Sequence, residues 1–125
     1  MKLASIRIVT HDVSALATFY SAITGVGTQG DDVYCEVRAP GCTLAIVDES
    51  LVQKLYPGQL ATCANRSAIL EFQVDDVDRL RSTLANIVSE WVQEPTTMPW
   101  GNRSMLFRDP DGNMINVYAP PKGEI

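Results

Sequence analysis

The chain has 125 residues, enough for one domain that buries a real core without disulfide staples. Its make-up of 46% hydrophobic and 20% charged residues is ordinary for a globular protein. A net charge of -5 and a pI near 4.7 argue against a basic, nucleic-acid-binding face, and no run of about 18 apolar residues offers a membrane span.

Arg7, His11 and Asp12 interrupt any apolar leader, so the expected compartment is the cytoplasm. Leu3 to Thr10 alternates and is rich in Ile and Val, which predicts a first strand ended by His11-Asp12. Asp12 or Ser14 caps a helix whose apolar face is Val13, Leu16, Ala17, Tyr20 and Ile23. Gly25 and Gly27 stop it. Three short strands follow, around Val26–Gln29, Val33–Arg38 and Cys42–Val47, with Ala39-Pro40-Gly41 turning between the last two. Ser50 to Arg66 reads as a linker with one helical turn at Leu51–Tyr56. Cys35, Cys42 and Cys63 are odd in number and form no CxxC pair; they read as small buried thiols.

The cycle then restarts. Ala68 to Val74 is a strand, and Asp76 caps a helix marked by Val77, Leu80, Leu84 and Ile87. A strand at Val88–Glu94, a loop from Pro95 to Pro99 and a hairpin complete the second half. The hairpin turns at Asp109-Pro110-Asp111-Gly112-Asn113, where proline presets φ and glycine accepts a positive one. The pattern is β-α-β-β-β twice. Asp12 falls on Asp76 at an offset of 64, Leu16 falls on Leu80, and Gly41 falls on Gly112, which pairs Ala45 with Asn116. The expected organisation is a single domain over 1–125, with module one at about 1–49, a linker at about 50–66 and module two at about 67–120.

The Asp12 to Phe19-Tyr20 helix and the stretch from Pro99 to Pro120 (PWGNRSMLFRDPDGNMINVYAP) carry a resemblance over nearly the whole chain. It resembles the vicinal oxygen chelate superfamily, which includes glyoxalase I, extradiol dioxygenases, fosfomycin-modifying enzymes and bleomycin-resistance proteins. The resemblance implies an α+β fold: two βαβββ modules edge to edge, their curved sheet forming a cup with helices outside. It also implies a small-molecule ligand in the cup and a homodimer. Enzymatic members bind one divalent metal through His, Glu or Gln side chains from strands one and four of each module. By position, those ligands fall here on Ser5, Ala45, Ile69 and Asn116. None is a histidine or a carboxylate, the donors that divalent first-row metals need at N/O sites. The only histidine, His11, lies at the strand end and reads as an exposed residue. The expectation is therefore no metal and no other cofactor, a divalent ion entering only if this carry-over is wrong.

Strand alternation extends the set. Arg7 and Val9 share the face of Ser5; Glu71 and Gln73 share that of Ile69; Thr43 and Val47 share that of Ala45; Met114 and Tyr118 share that of Asn116. Arg7 and Glu71 occupy equivalent places and are expected to approach each other, either as a structural ion pair or as a charged floor for a polar ligand. Glu71 is also the one weak candidate for acid–base chemistry. Trp91, Trp100, Tyr34 and Tyr118 are the aromatic candidates, Trp91 for the core and Trp100 for a pocket wall or a dimer interface. Arg103 fixes its loop and Arg108 is solvated. The predicted ligand-binding set is Ser5, Arg7, Ala45, Ile69, Glu71, Trp100, Met114, Asn116 and Tyr118. Two functions are consistent with it: metal-free binding of a small organic molecule, or a metal-dependent lyase, isomerase or dioxygenase acting on a small oxygenated substrate.

Overall fold

The computed structural model describes residues 1–122. It divides into two compact units, one ending at Ala64 and the other beginning at Asn65. The first contains β1 (Ser5–Thr10), α1 (Val13–Thr24), β2 (Thr28–Gly30), β3 (Tyr34–Ala39), β4 (Cys42–Asp48) and α2 (Glu49–Leu55). The second contains β5 (Ile69–Gln73), α3 (Val77–Thr83), β6 (Glu90–Thr97), β7 (Arg103–Arg108) and β8 (Met114–Ala119). Each unit forms a four-stranded sheet of the same topology, β1-β4-β3-β2 in the first and β5-β8-β7-β6 in the second. In both, the first strand runs parallel to the fourth and the remaining pairs are antiparallel. The fold is α+β, a βαβββ module made twice.

The repeat holds at the level of single residues. Asp12 caps α1 by accepting the Ala15 N–H at 3.1 Å, and Asp76 caps α3 by accepting the Arg79 N–H at 3.1 Å. Arg7 is the register partner of Ala45, as Glu71 is of Asn116. The residues aligned from turn spacing alone are therefore equivalent in the ladders.

One face of each sheet is covered by its helix. α1 lies on β2, β3 and β4, burying Val13, Leu16, Phe19, Tyr20 and Ile23 beside Cys35, Val37, Leu44 and Ile46. α3 lies on β6, β7 and β8, where Val77 and Leu84 are buried with Met105, Phe107, Ile115 and Val117. Burial of each large apolar side chain contributes about 1.5–3 kcal/mol, so alternation assigns these residues to the helix side and leaves a mixed face, with Arg7, Glu71 and Asn116 among apolar side chains, on the other. Trp91 joins the packing, its ring edge-on to Phe107 at 5.3 Å with the Arg81 guanidinium 3.7 Å above it.

Several local expectations change. α2 is a two-turn helix rather than one turn in a linker: Asp48 accepts the Ser50 N–H at 3.0 Å, and the helix packs on β4 and β1. α3 ends at Thr83, so Leu84 is buried as its C-cap while Ile87 is 38% exposed instead of continuing the apolar face. β6 runs on to Thr97 through Pro95, where a loop was expected. Proline is tolerated there because β6 is the sheet's edge strand and its pairing is bulged between Gln93 and Thr96. Only Cys35 of the three thiols is buried; Cys42 is half-buried and Cys63 exposed.

Two tight places require glycine. Gly30 has φ +136°, and a side chain there would collide with the Tyr34 carbonyl oxygen and stand 2.8 Å from the Cys35 Cα. Gly112 has φ +83° in the turn between β7 and β8. That turn is built on Asp109, which accepts the N–H groups of Asp111 and Asn113 at 2.9 Å and the Asn113 side-chain amide at 2.7 Å. Asn113 in turn accepts from Asn65, whose side chain also holds the backbone of Ala68 just before β5. No helix among the described residues is long and apolar enough to cross a membrane.

Candidate functional site

The face of the second sheet away from α3 carries Ile69, Glu71 and Gln73 on β5 beside Met114, Asn116 and Tyr118 on β8. Asn116 is its centre. Its amide nitrogen donates to Glu71 Oε2 at 2.7 Å, and its carbonyl oxygen accepts the Ser104 hydroxyl at 2.5 Å. Ser104 is buried and its own carbonyl accepts from Gln93 at 3.3 Å, so the chain Glu71–Asn116–Ser104 is anchored in the sheet. Next to it, Tyr118 donates to Gln73 at 3.4 Å. Glu71 is exposed, and among the described residues of its unit no cation lies within ion-pair distance of it.

The corresponding face of the first sheet carries Ser5, Arg7 and Val9 on β1 beside Thr43, Ala45 and Val47 on β4, with Tyr34, Glu36 and Arg38 on β3. Ala45 is 1% exposed and presents almost no surface. Glu36 accepts from Arg38 Nε at 2.8 Å and from the Tyr34 hydroxyl at 2.9 Å. The Arg38 guanidinium, and after it the Tyr34 hydroxyl, holds the Glu36 carboxyl below its ordinary value. The same bond, together with the carboxylate's charge, raises the Tyr34 phenol. Of these three, Tyr34 alone stood out in the sequence, as an aromatic candidate. The signal for Glu36 and Arg38 was present as an every-second-residue polar series on one strand face, but the ion pair becomes visible only with the register.

Other predicted residues lie elsewhere. Trp100 is 67% exposed in the turn between β6 and β7, where Met98 accepts the Gly101 N–H. Arg103 does more than fix its loop. Its guanidinium clamps Asp78 of α3 with two bonds of 3.0 and 2.8 Å, and it also donates to Thr97. Arg108, expected to be solvated, pairs with Glu90 at 2.9 Å and donates to the Gly112 carbonyl. His11 is exposed at the end of β1. Ser104 and Gln93 were missed, because a buried serine on a central strand has no sequence signature distinct from core.

Two grooves open on the helix sides. One, of about 420 Å³, runs between α1 at Ser14, Thr18 and Ser21 and the β2–β3 segment at Gly30, Asp32 and Cys35. The other, of about 260 Å³, lies between the start of α3 at Asp75 and Asp78 and the segment of Pro120 to Lys122, with Arg103 in its wall. Neither contains a residue of the predicted ligand-binding set.

The four inherited ligand positions test poorly for a metal. Ile69 and Ala45 carry no donor atom, and Ser5 offers a neutral hydroxyl. The carbonyl oxygen of Asn116, the one strong neutral donor of the set, is engaged by Ser104. Divalent first-row ions at N/O sites are held by imidazole or carboxylate, so this donor set does not fit one.

Residues 2–117 match the family model of the glyoxalase/bleomycin resistance protein/dioxygenase superfamily. Among solved structures, a glyoxalase/bleomycin resistance protein/dioxygenase family enzyme from Burkholderia phytofirmans is similar with a TM-score of 0.85 at 16% identity, over 95% of this chain and 98% of that one. A glyoxalase-related enzyme from Fulvimarina pelagi gives 0.82 at 22% identity, over 98% and 93%. A glyoxalase/bleomycin resistance protein/dioxygenase from Nocardioides gives 0.79 at 22%, over 99% and 86%. At these identities the likeness is one of fold. No curated protein matches the sequence significantly.

Proposed function

The chain belongs to the glyoxalase/bleomycin resistance protein/dioxygenase superfamily, and from that premise we propose that it binds a small organic molecule without a resident divalent metal. The observation that carries the reading is the Glu71–Asn116–Ser104 chain on the open face of the second sheet. Where a metal-binding relative places a ligand on the fourth strand, this chain has an amide built into a hydrogen-bond network. Such a network orients a polar ligand, and the flanking Met114 and Tyr118 supply apolar and aromatic surface for the rest of it. The Tyr34–Glu36–Arg38 cluster offers a second polar patch on the first sheet. The proposal includes a homodimer, as the family resemblance implies, and a cytoplasmic location, and excludes nucleic acid because the chain is acidic. No catalytic step is assigned. Glu71, the weak candidate for acid–base work, serves as a hydrogen-bond acceptor.

Thermal unfolding of chelator-stripped protein with and without Mn²⁺, Fe²⁺, Ni²⁺ or Zn²⁺ tests the metal-free reading. A native-state ion at a hundred times its Kd stabilises by about 2.7 kcal/mol. The expected result is no saturable rise in Tm with any of the four. A saturable rise abolished by Glu71→Gln would instead support a metal-dependent lyase, isomerase or dioxygenase.

A further inference from the structure

The orientation of the Asn116 amide follows from its neighbours. A carboxylate only accepts hydrogen bonds, so the atom 2.7 Å from Glu71 Oε2 is the amide nitrogen, and the oxygen then faces Ser104. Ser104, 4% exposed and fixed on β7, donates its hydroxyl proton to that oxygen. A reversed amide would set oxygen against carboxylate oxygen and leave the buried hydroxyl to accept rather than donate.

The arrangement leaves two groups unspent. An amide nitrogen has two hydrogens, and one is used on Glu71; among the described residues the other has no partner. Glu71 Oε1 likewise has none among them. A donor and an acceptor therefore stand side by side on an exposed sheet face. We propose that this pair recognises a neutral head group with adjacent N–H and C=O, such as a carboxamide, lactam or urea, and that Glu71, which fixes the way the Asn116 amide points, sets this specificity. The proposal rests on the reading of this face as a ligand site. An ammonium satisfies Glu71 but meets the Asn116 N–H with a like partial charge. A carboxylate satisfies Asn116 but is repelled by Glu71. Only the amide-like group matches both.

The test uses benzamide, benzylammonium and benzoate, three probes of similar size, titrated into the full chain and followed by NMR through backbone amides and the Asn116 side-chain amide. Leaving one of two polar groups mismatched costs about tenfold in affinity, so benzamide is expected to bind about tenfold tighter than either ion. Glu71→Gln replaces the acceptor-only carboxylate with an amide that also donates, which frees the Asn116 amide to turn, and is expected to reduce that preference to about twofold. Asn116→Asp replaces the donor with a second carboxylate and is expected to shift the preference to benzylammonium. Equal or tighter binding of benzylammonium or benzoate by the unaltered chain overturns the head-group assignment while leaving the ligand site standing. An undiminished benzamide preference in Glu71→Gln overturns the role of Glu71. If no probe moves the signals of Glu71, Ser104 and Asn116, the ligand site itself is refuted.

Discussion

Replacing Asp109 with alanine should unlock the turn that joins β7 to β8 and, through it, the entry to β5. Asp109 is 5% exposed, and its carboxylate accepts from the Asp111 N–H, the Asn113 N–H and the Asn113 side-chain amide. Two of those donors belong to Asn113, itself 5% exposed. Orphaning a buried donor costs about 1–3 kcal/mol. With two orphans and one donor that water can reach, Asp109→Ala should destabilise by about 3–5 kcal/mol. Asp109→Asn keeps an oxygen for both backbone N–H groups, forfeits the bond to the Asn113 side chain and meets that amide with a second donor, so it should cost about 1–2 kcal/mol. Both tryptophans, Trp91 and Trp100, lie in the second unit, so urea unfolding followed by tryptophan fluorescence reports on the affected part. The midpoints should fall in the order wild type, Asn, Ala, with the slope unchanged. A loss below about 1 kcal/mol for alanine, or equal losses for the two variants, would refute the assignment of the turn's stability to these bonds.

The Asp78–Arg103 clamp should make stability depend on pH in one direction. The bond from Arg103 holds the folded Asp78 carboxyl below its ordinary value, so the unfolded chain binds more protons between the two values and stability rises with pH across that window. The contribution is complete above the ordinary aspartate value of about 4 and is lost as pH falls through the lowered one; the gap in urea midpoint between wild type and Asp78→Asn should be widest near neutrality and close in acid. Gly30→Ala should cost roughly 2 kcal/mol or more, because the backbone has a positive φ and the added carbon meets the Tyr34 carbonyl. A midpoint within experimental error of wild type would contradict that geometry.

What the sequence revealed and what it hid have separate physical causes. The two helix-capping aspartates, the turn glycines and the period-two strands act locally, so the repeat, the ladder equivalence of Arg7 with Glu71 and of Ala45 with Asn116, and the division of each sheet into two faces were readable from spacing. α2 was underestimated because seven residues give too short a period to separate from a loop, and its cap, Asp48, also ends a strand. Pro95 read as a loop because the sequence does not say which strand is at an edge. The side-chain network was least accessible. Ser104 reaches Asn116 across a strand pair, twelve residues away in the chain, and Arg108 reaches Glu90 the same way. Such partners are chosen by register, which no single stretch encodes.

The inherited metal positions, here Ser5, Ala45, Ile69 and Asn116, are proposed to hold no divalent ion. A native mass spectrum of untagged protein purified without chelator tests that proposal most directly. The expected result is a metal-free dimer, carrying any bound organic molecule as added mass. A dimer with about one divalent ion per chain, the stoichiometry expected of a metal centre with a full donor set, would contradict it.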